Sequence, residues 1–208
     1  MLAVFVDFDG TITDVDTFDA LVRAVAGDAA LEAIDGPLLA GEITLREALA
    51  RQAATLRLSR EATLAFMESN AHVDPAFAPF VDAVRAHGGS LQVVSSGVAT
   101  VIHDALARAG IEVEVIANDV DFHPAGWTMS FVDPSDNGHD KAVHVRAARA
   151  SGAHTVYVGD GISDFEAALA ADERFAKKGR ALEAYCRARG VECVPFESFS
   201  EIERRLFP

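Results

Sequence analysis

The sequence predicts an α/β protein, a parallel sheet with helices on both faces and a helical insert directly after the first strand. Three observations carry this. From about residue 75 onward, short apolar runs alternate with amphipathic helical stretches, the pattern of strands buried on both faces. An apolar run opens the chain and ends abruptly in "AVFVDFDGTIT". Between about residues 15 and 74 the hydrophobic period is helical throughout. The expected organisation is a core of residues 1–14 and 75–208 carrying a cap of residues 15–74. No internal repeat, low-complexity segment or flexible linker interrupts it.

Each element has its own signal. Ala3 to Val6 reads as the first strand. "TFDALVRAVAG" sets Phe18, Leu21, Val22 and Val25 on one helical face, with Gly27 as the stop. "TLREALARQAATL" and "SREATLAFMESN" repeat that period, with Thr44 and Ser59 as N-caps. Asp74-Pro75 ends the helical stretch. A helix near Pro75–His87 follows, then the strand "LQVVS", a helix near Thr100–Ala109 and the strand "EVEVIAN". "FHPAGWTMSFV" reads as a short hairpin. A helix from Lys141 to Ala150 leads to the strand "TVYVG" and a helix opened by a Ser163/Glu166 capping box. After "RFAK" come a helix near Arg180–Arg189, the strand "VECVPF" and a last helix capped by Ser198 and Glu201.

Composition narrows the function. Half of the 208 residues are hydrophobic and 24% are charged, as in a folded soluble domain. No apolar run could span a bilayer, and no basic start with an apolar signal core is present. A cytoplasmic protein is expected, with no membrane partner. The formal charge of −14 argues against a nucleic-acid partner and means that an anionic substrate needs a local positive site. Cys186 and Cys193 read as reduced thiols, and the seven histidines as scattered surface or packing residues. The oligomeric state has no signature.

The chemistry gathers where strands end, the place at which open parallel sheets bind ligands. The first strand ends in Asp7 and Asp9, which point to the same side of an extended chain, an arrangement that repulsion and desolvation both penalise. A second ends in Ser95, Ser96 and Gly97, and a later one in "GDGISD", with Asp160 and Asp164. If these strands are neighbours, carboxylates and a hydroxyl converge on one crevice. Oxygen ligands without His or Cys suit Mg²⁺. Lys141 starts a helix within reach. Taken singly, Ser95 reads as an N-cap, Asp160 as a turn residue and Lys141 as a solvated helix residue. Their joint order is what departs from those readings.

That order resembles the haloacid dehalogenase (HAD) superfamily of aspartyl phosphatases over nearly the whole chain. "DFDGT" is similar to its first motif, Ser95 to the second, Lys141 to the third and "GDGISD" to the fourth. The resemblance implies a HAD-like Rossmannoid sheet with a small C1-type cap, like the phosphoserine phosphatase branch. Within that branch, "DFDGTITDVD", "DPAFAPFVDAV", "VVSSG" and "VYVGDGISDFEAALAAD" look most like the methylthioribulose-salvage phosphatases. It implies Asp7 as the nucleophile of an aspartyl-phosphate intermediate and Asp9 as general acid and base. Mg²⁺ would be held by Asp7, the Asp9 carbonyl and Asp160, with Asp164 supporting. Ser95, the Ser96 and Gly10 amides, the turn at Gly97 and Lys141 would hold the phosphoryl oxygens, and Thr11 would order the loop. The substrate would be a small phosphomonoester, an enol or diketone phosphate in the salvage branch.

Two departures bear on that substrate. Where the phosphoserine branch carries a Glu and an Arg that read the amino acid, this chain has Asp16 and Gln52, with Arg51 one residue off. The cysteine-rich run expected before the motif lysine reads "NGHDK" here. Phosphoserine hydrolysis is the alternative. A receiver-type signalling domain also joins acids, Mg²⁺, a hydroxyl and a Lys, but it lacks a helical insert of this size. A phosphomutase would share the aspartyl phosphate. Neither G-x-G-x-x-G nor G-x-x-x-x-G-K-[ST] occurs.

Overall fold

The computed structural model describes residues 1–208. Its strands are β1 (Leu2–Val6), β2 (Ser90–Val98), β3 (Glu114–Asp121), β4 (Thr128–Ser130), β5 (His154–Gly159), β6 (Glu173–Lys177) and β7 (Val194–Phe196). They form one seven-stranded sheet in the order β4-β3-β2-β1-β5-β6-β7. All pairings are parallel except the β3–β4 hairpin. The strand order reverses direction at β1, so the crevice at its carboxyl end is a topological switch point.

Ten helices accompany the sheet. Those between β1 and β2 are α1 (Thr17–Ala26), α2 (Asp28–Leu39), α3 (Leu45–Thr55), α4 (Arg60–Asn70) and α5 (Phe77–Ala86). The others are α6 (Ala99–Arg108), α7 (Lys141–Ala150), α8 (Phe165–Ala170), α9 (Ala181–Arg189) and α10 (Phe199–Leu206). None is long and apolar enough to cross a membrane. Thr44 and Ser59 are N-caps as expected, accepting from the Glu47 and Ala62 amides. Gly27 ends α1 at φ +86°, a left-handed conformation that favours glycine.

The two-residue period of β1 divides the core. Val4 and Val6 pack with Phe80, Val93 and Phe199 on one face of the sheet. Ala3 and Phe5 pack with Tyr157, Ala142 and Val145 on the other. Asp7 continues the second set, which is the face covered by α7 and hence by Lys141 at its first position.

The structure corrects several sequence readings. Helix α2 is a separate element that the periodicity did not resolve, because Gly36 and Pro37 lie inside it. Val25 is exposed rather than part of the α1 seam. "RFAK" is the interior strand β6, paired on both edges. The Ser163/Glu166 box does not form, since Ser163 lies in a 3-10 turn and its hydroxyl accepts from Lys141. Ser198 does not cap α10 with its own side chain. The Asp74 carboxylate, from the distant end of the α4–α5 connection, accepts from the Phe199 amide and from Ser198 Oγ. The histidines are not all scattered, because buried His139 meets His144 with 3.0 Å between their Nε2 atoms. The two cysteines are free. Burial and the adjacent Cys186 push the Cys193 thiol up to about 12.

A third apolar cluster joins α1–α4 to the β3–β4 hairpin, with Phe18, Leu21, Leu56 and Met67 against Val120, Trp127 and Met129. Trp127 is 2% exposed. Its amide donates to the Ala53 and Leu56 carbonyls, and its indole donates to the Leu58 carbonyl at 2.9 Å. Trp127→Ala should therefore cost about 3–5 kcal/mol. Urea unfolding checks it, and Trp127→Phe, which keeps most of the apolar volume, should lose clearly less.

Candidate active site

Three strand ends meet because β1 lies between β2 and β5. Asp7 is 4% exposed and Lys141 is 1% exposed. The Lys141 ammonium donates to Asp7 Oδ1 at 2.5 Å, Asp164 Oδ1 at 2.7 Å and Ser163 Oγ at 2.8 Å. All three of its protons are therefore engaged. Asp164 is equally saturated. Its Oδ1 also accepts from the buried Tyr157 hydroxyl at 2.6 Å, and its Oδ2 accepts from the Asp160 and Gly161 amides, both at 2.9 Å. Asp164 thus fixes both the lysine and the turn that presents Asp160.

Asp7 Oδ2 is different. It has one weak partner, Thr11 Oγ1 at 3.5 Å, and Asp7 lines a cavity of about 330 Å³. Asp9 lines the same cavity. Its Oδ1 accepts from the Thr17 amide at 3.1 Å and the Thr17 hydroxyl at 2.5 Å, while Ser95 Oγ lies 3.4 Å from Oδ2. Two glycines permit this crowding. A Cβ on Gly97 would collide with Asp9 Oδ2, and one on Gly10, at φ +70°, would collide with Asp160 Oδ2.

Asp7, Asp9, Asp160, Ser95, Ser96 and Gly97 all line the cavity, as do Asp16 and Gln52. Lys141 and Asp164 lie behind this wall. The Gly10 amide does not face a ligand: it donates to the Val15 carbonyl and to Thr13 Oγ1, so this glycine supplies clearance instead. The loop is ordered mainly by Thr13, whose hydroxyl donates to Val15 O at 2.7 Å, whereas Thr11 makes only long contacts. Lys141 is buried, not partly exposed. Arg51 bonds Glu47 on the outer surface, and Gln52 is buried with its Nε2 on Asp19 Oδ1 at 3.0 Å. Thr17, Tyr157 and Ser163 were not anticipated, because their roles come from contacts distant in sequence or from a helix start that looks like any other.

Electrostatics tie these groups together. Four carboxylates (Asp7, Asp9, Asp160 and Asp164) face one ammonium. Burial, then Asp164, holds the Asp7 carboxyl well above the usual range despite Lys141. Burial, then Asp164, pushes Asp160 up to about 7. Burial, then Asp16, pushes Asp9 up to about 6, against the Thr17 hydrogen bonds. Burial alone would lower Lys141, but Asp164 and Asp7 outweigh it and keep it charged. Asp7, Asp160 and Asp164 each offer an oxygen, all within 4.8 Å of one another. An all-oxygen donor set with excess negative charge fits a hard divalent cation. Ser96 Oγ, buried, has no hydrogen-bond partner in the chain.

Two outcomes follow from the charge balance. The folded state holds the Asp160 proton more tightly than the unfolded state does. In chelator, its contribution to stability should therefore fall as pH rises from about 4 towards about 7. Asp160→Asn should flatten that slope relative to the parent in urea unfolding at a series of pH values. Lys141→Met should cost about 3–5 kcal/mol, because it leaves two buried carboxylates without their cation; the same unfolding assay reads it.

The chain is similar to known proteins. The chain is 33% identical over 216 residues to the Pdp3-interacting factor 1 of Schizosaccharomyces pombe, covering 99% of this chain and 94% of that one. It is 30% identical to a 2-hydroxy-3-keto-5-methylthiopentenyl-1-phosphate phosphatase of Exiguobacterium, covering 96% and 94%. It is 28% identical to the polyol phosphate phosphatase of Saccharomyces cerevisiae, covering 96% and 90%. A solved phosphoserine phosphatase carrying an analogue of its phospho-aspartyl intermediate superposes with a TM-score of 0.77 at 18% identity, covering 98% and 97%, and shares the fold. The haloacid dehalogenase-like hydrolase family matches residues 4–169, a span that includes every strand end supplying a carboxylate to the cavity. The chain therefore belongs to that family.

Proposed function

We propose that this protein is a Mg²⁺-dependent hydrolase of small phosphomonoesters that works through a phosphorylated Asp7. The observation that carries the reading is the asymmetry of the Asp7 carboxylate. Lys141 pins Oδ1, while Oδ2 has only the 3.5 Å contact with Thr11, and Asp7 lines the cavity. A carboxylate so fixed has one oxygen for attack and little freedom to lose, which favours nucleophilic catalysis. Asp9, with its pKa pushed up to about 6, is suited to give a proton to the leaving alkoxide and later to take one from water. Thr17 holds it in place for both roles. Ser95, Ser96 and Gly97 form the phosphoryl-facing wall, where the partnerless Ser96 hydroxyl is available to an oxyanion.

Asp7 and Asp160 would hold the Mg²⁺, and Asp164 would orient them through Lys141 and the Asp160 amide. Bound there, the ion would supply positive charge to the phosphoryl oxygens and keep Asp7 ionised. Residues 15–74 would act as the cap over a core of 1–14 and 75–208. The neck supports that division, since Thr13 bridges Val73, the Asp14 amide donates to the His72 carbonyl, and the Asp74 amide donates to Ile12. The relatives named for methylthiopentenyl phosphate and for polyol phosphates point to a small phosphorylated metabolite.

Phosphate release from nitrophenyl phosphate should vanish in EDTA and return with Mg²⁺. Asp7→Asn should form no phosphoenzyme in rapid-quench labelling. Asp9→Asn should lose less on nitrophenyl phosphate than on an alkyl phosphate, because nitrophenolate leaves without a proton. Full turnover in EDTA, or normal labelling of Asp7→Asn, would overturn the reading.

A further inference from the structure

We propose that His139, held by His144, is a positioning residue for the phosphoryl-facing turn Ser95–Gly97 and acts through the Ser95 carbonyl. This rests on the phosphomonoesterase reading and names what sets the geometry of its phosphoryl wall.

Ser95, Ser96 and Gly97 all line the cavity, although successive residues of a regular strand point to opposite sides. A bulge makes this possible. Ser95 is aligned with Ala117 of β3 and Val98 with Asn118, so Ser96 and Gly97 have no partner there. The pairing of β2 with β1 has already ended at Val93. Bulges re-aim side chains, and the carbonyls they take out of the ladder need other donors. Two buried side chains supply them. Asn118 Nδ2 donates to the Ser96 carbonyl at 2.8 Å, and His139 Nδ1 donates to the Ser95 carbonyl at 2.9 Å. Asn118 is held in turn, because its Oδ1 accepts from the Val132 amide at 3.1 Å.

His139 does not line the cavity, so its influence is indirect. A carbonyl only accepts, which places the His139 proton on Nδ1. Its Nε2 is then the acceptor at 3.0 Å from His144 Nε2, and His144 donates. Burial holds both rings below the usual imidazole range, and Lys141 and His144 add to that effect at His139. Both rings are therefore neutral near pH 7, as this pattern requires. His144 thus selects the Nδ1–H tautomer of His139. The opposite tautomer would aim a lone pair at the Ser95 carbonyl. The main chain of His139 reaches the other half of the site, since its carbonyl accepts from the Lys141 amide at 3.0 Å. One residue therefore ties the phosphoryl-facing turn to the lysine that pins Asp7. Misplacing reacting groups by about 1 Å costs on the order of a hundredfold in rate, which gives a residue without ligand contact its leverage.

The test combines kcat/KM on nitrophenyl phosphate, the inhibition constant of vanadate as a probe of the phosphoryl wall, and imidazole NMR, all with Mg²⁺. His139→Leu should lower kcat/KM and weaken vanadate, each by about tenfold or more. His139→Asn, which returns an N–H near the place of Nδ1, should recover most of both. His144→Leu should give an intermediate loss. Imidazole NMR of the parent should show His139 as the Nδ1–H tautomer, and that signature should be lost in His144→Leu. A role in stability alone would lower the urea midpoint, leave vanadate affinity unchanged in the folded fraction, and gain nothing specific from Asn. The inference is overturned if folded His139→Leu stays within about twofold of the parent in both kinetic readouts, or if His139 carries its proton on Nε2. Should His139→Leu not fold, His144→Leu decides by the same readouts: unchanged vanadate affinity and tautomer overturn the inference, and loss of both supports it. If the parent hydrolyses no ester, the phosphomonoesterase reading itself falls, and this inference falls with it.

Discussion

The structure depends on one buried ammonium. Lys141 is the one buried cation bonded to the carboxylates at the end of the central strands, and its three protons reach Asp7, Asp164 and Ser163. Removing such a group from water is costly unless every proton finds an acceptor, a condition this site meets. Its placement follows from the sheet. Asp7 continues the face of β1 that α7 covers, and Lys141 is the first residue of α7. Asp164 relays the effect to the Asp160 turn through two amides and gains the Tyr157 hydroxyl from β5, the strand that leads into that turn. One lysine thus sets the position of three carboxylates, two through direct bonds and one through a turn.

The same balance leaves the site short of positive charge. Burial and acidic neighbours push Asp9 up to about 6 and Asp160 up to about 7, outweighing the Thr17 hydrogen bonds and Lys141 at the first, and Lys141 and Arg180 at the second. In an ordinary core this would be a defect. At a cavity wall it has a use: a carboxyl that keeps its proton near neutral pH can serve as an acid, and a crowded pair can share a cation. The two glycines complete this arrangement. Gly10 and Gly97 stand where any side chain would collide with Asp160 or Asp9, so the crowding of oxygens is permitted by the absence of Cβ atoms.

Much of this was legible in the sequence. The apolar strand ending in Asp7 and Asp9, the "SSG" strand end and the "GDGISD" turn each gave their position through local pattern, and parallel topology made them neighbours. What was not legible came from contacts that no local pattern encodes. The Asp74 carboxylate caps a helix more than a hundred residues away, and "RFAK" is an interior strand too short and too basic to show a strand period. The burial of Lys141 depends on α7 lying flat on the sheet, so a helix-start lysine that looks solvated is among the most enclosed side chains of the chain. His139 and His144 were read as isolated because five residues separate them, yet the turn into α7 brings their rings together.

The insert between β1 and β2 is tied to the core at more than its neck. Besides the Thr13–Val73 bridge, Trp127 of the hairpin region is enclosed by the α3–α4 connection, and the Arg46 guanidinium donates to the Asp133 carbonyl while lying 3.9 Å from the Phe131 ring centroid. The Arg46 amide also donates to the Asp136 carbonyl. The Arg46 attachments lie on the segment that leads from β4 to Lys141, so helix α3, which lines the cavity, is fixed to the stretch of chain that delivers the lysine. A cavity whose two walls are joined in this way has its shape set before any ligand arrives. Its polar groups are held in place by packing, and a ligand entering it forfeits its own freedom more than the protein's, which is the condition under which a few well-placed polar groups can discriminate between closely related ligands.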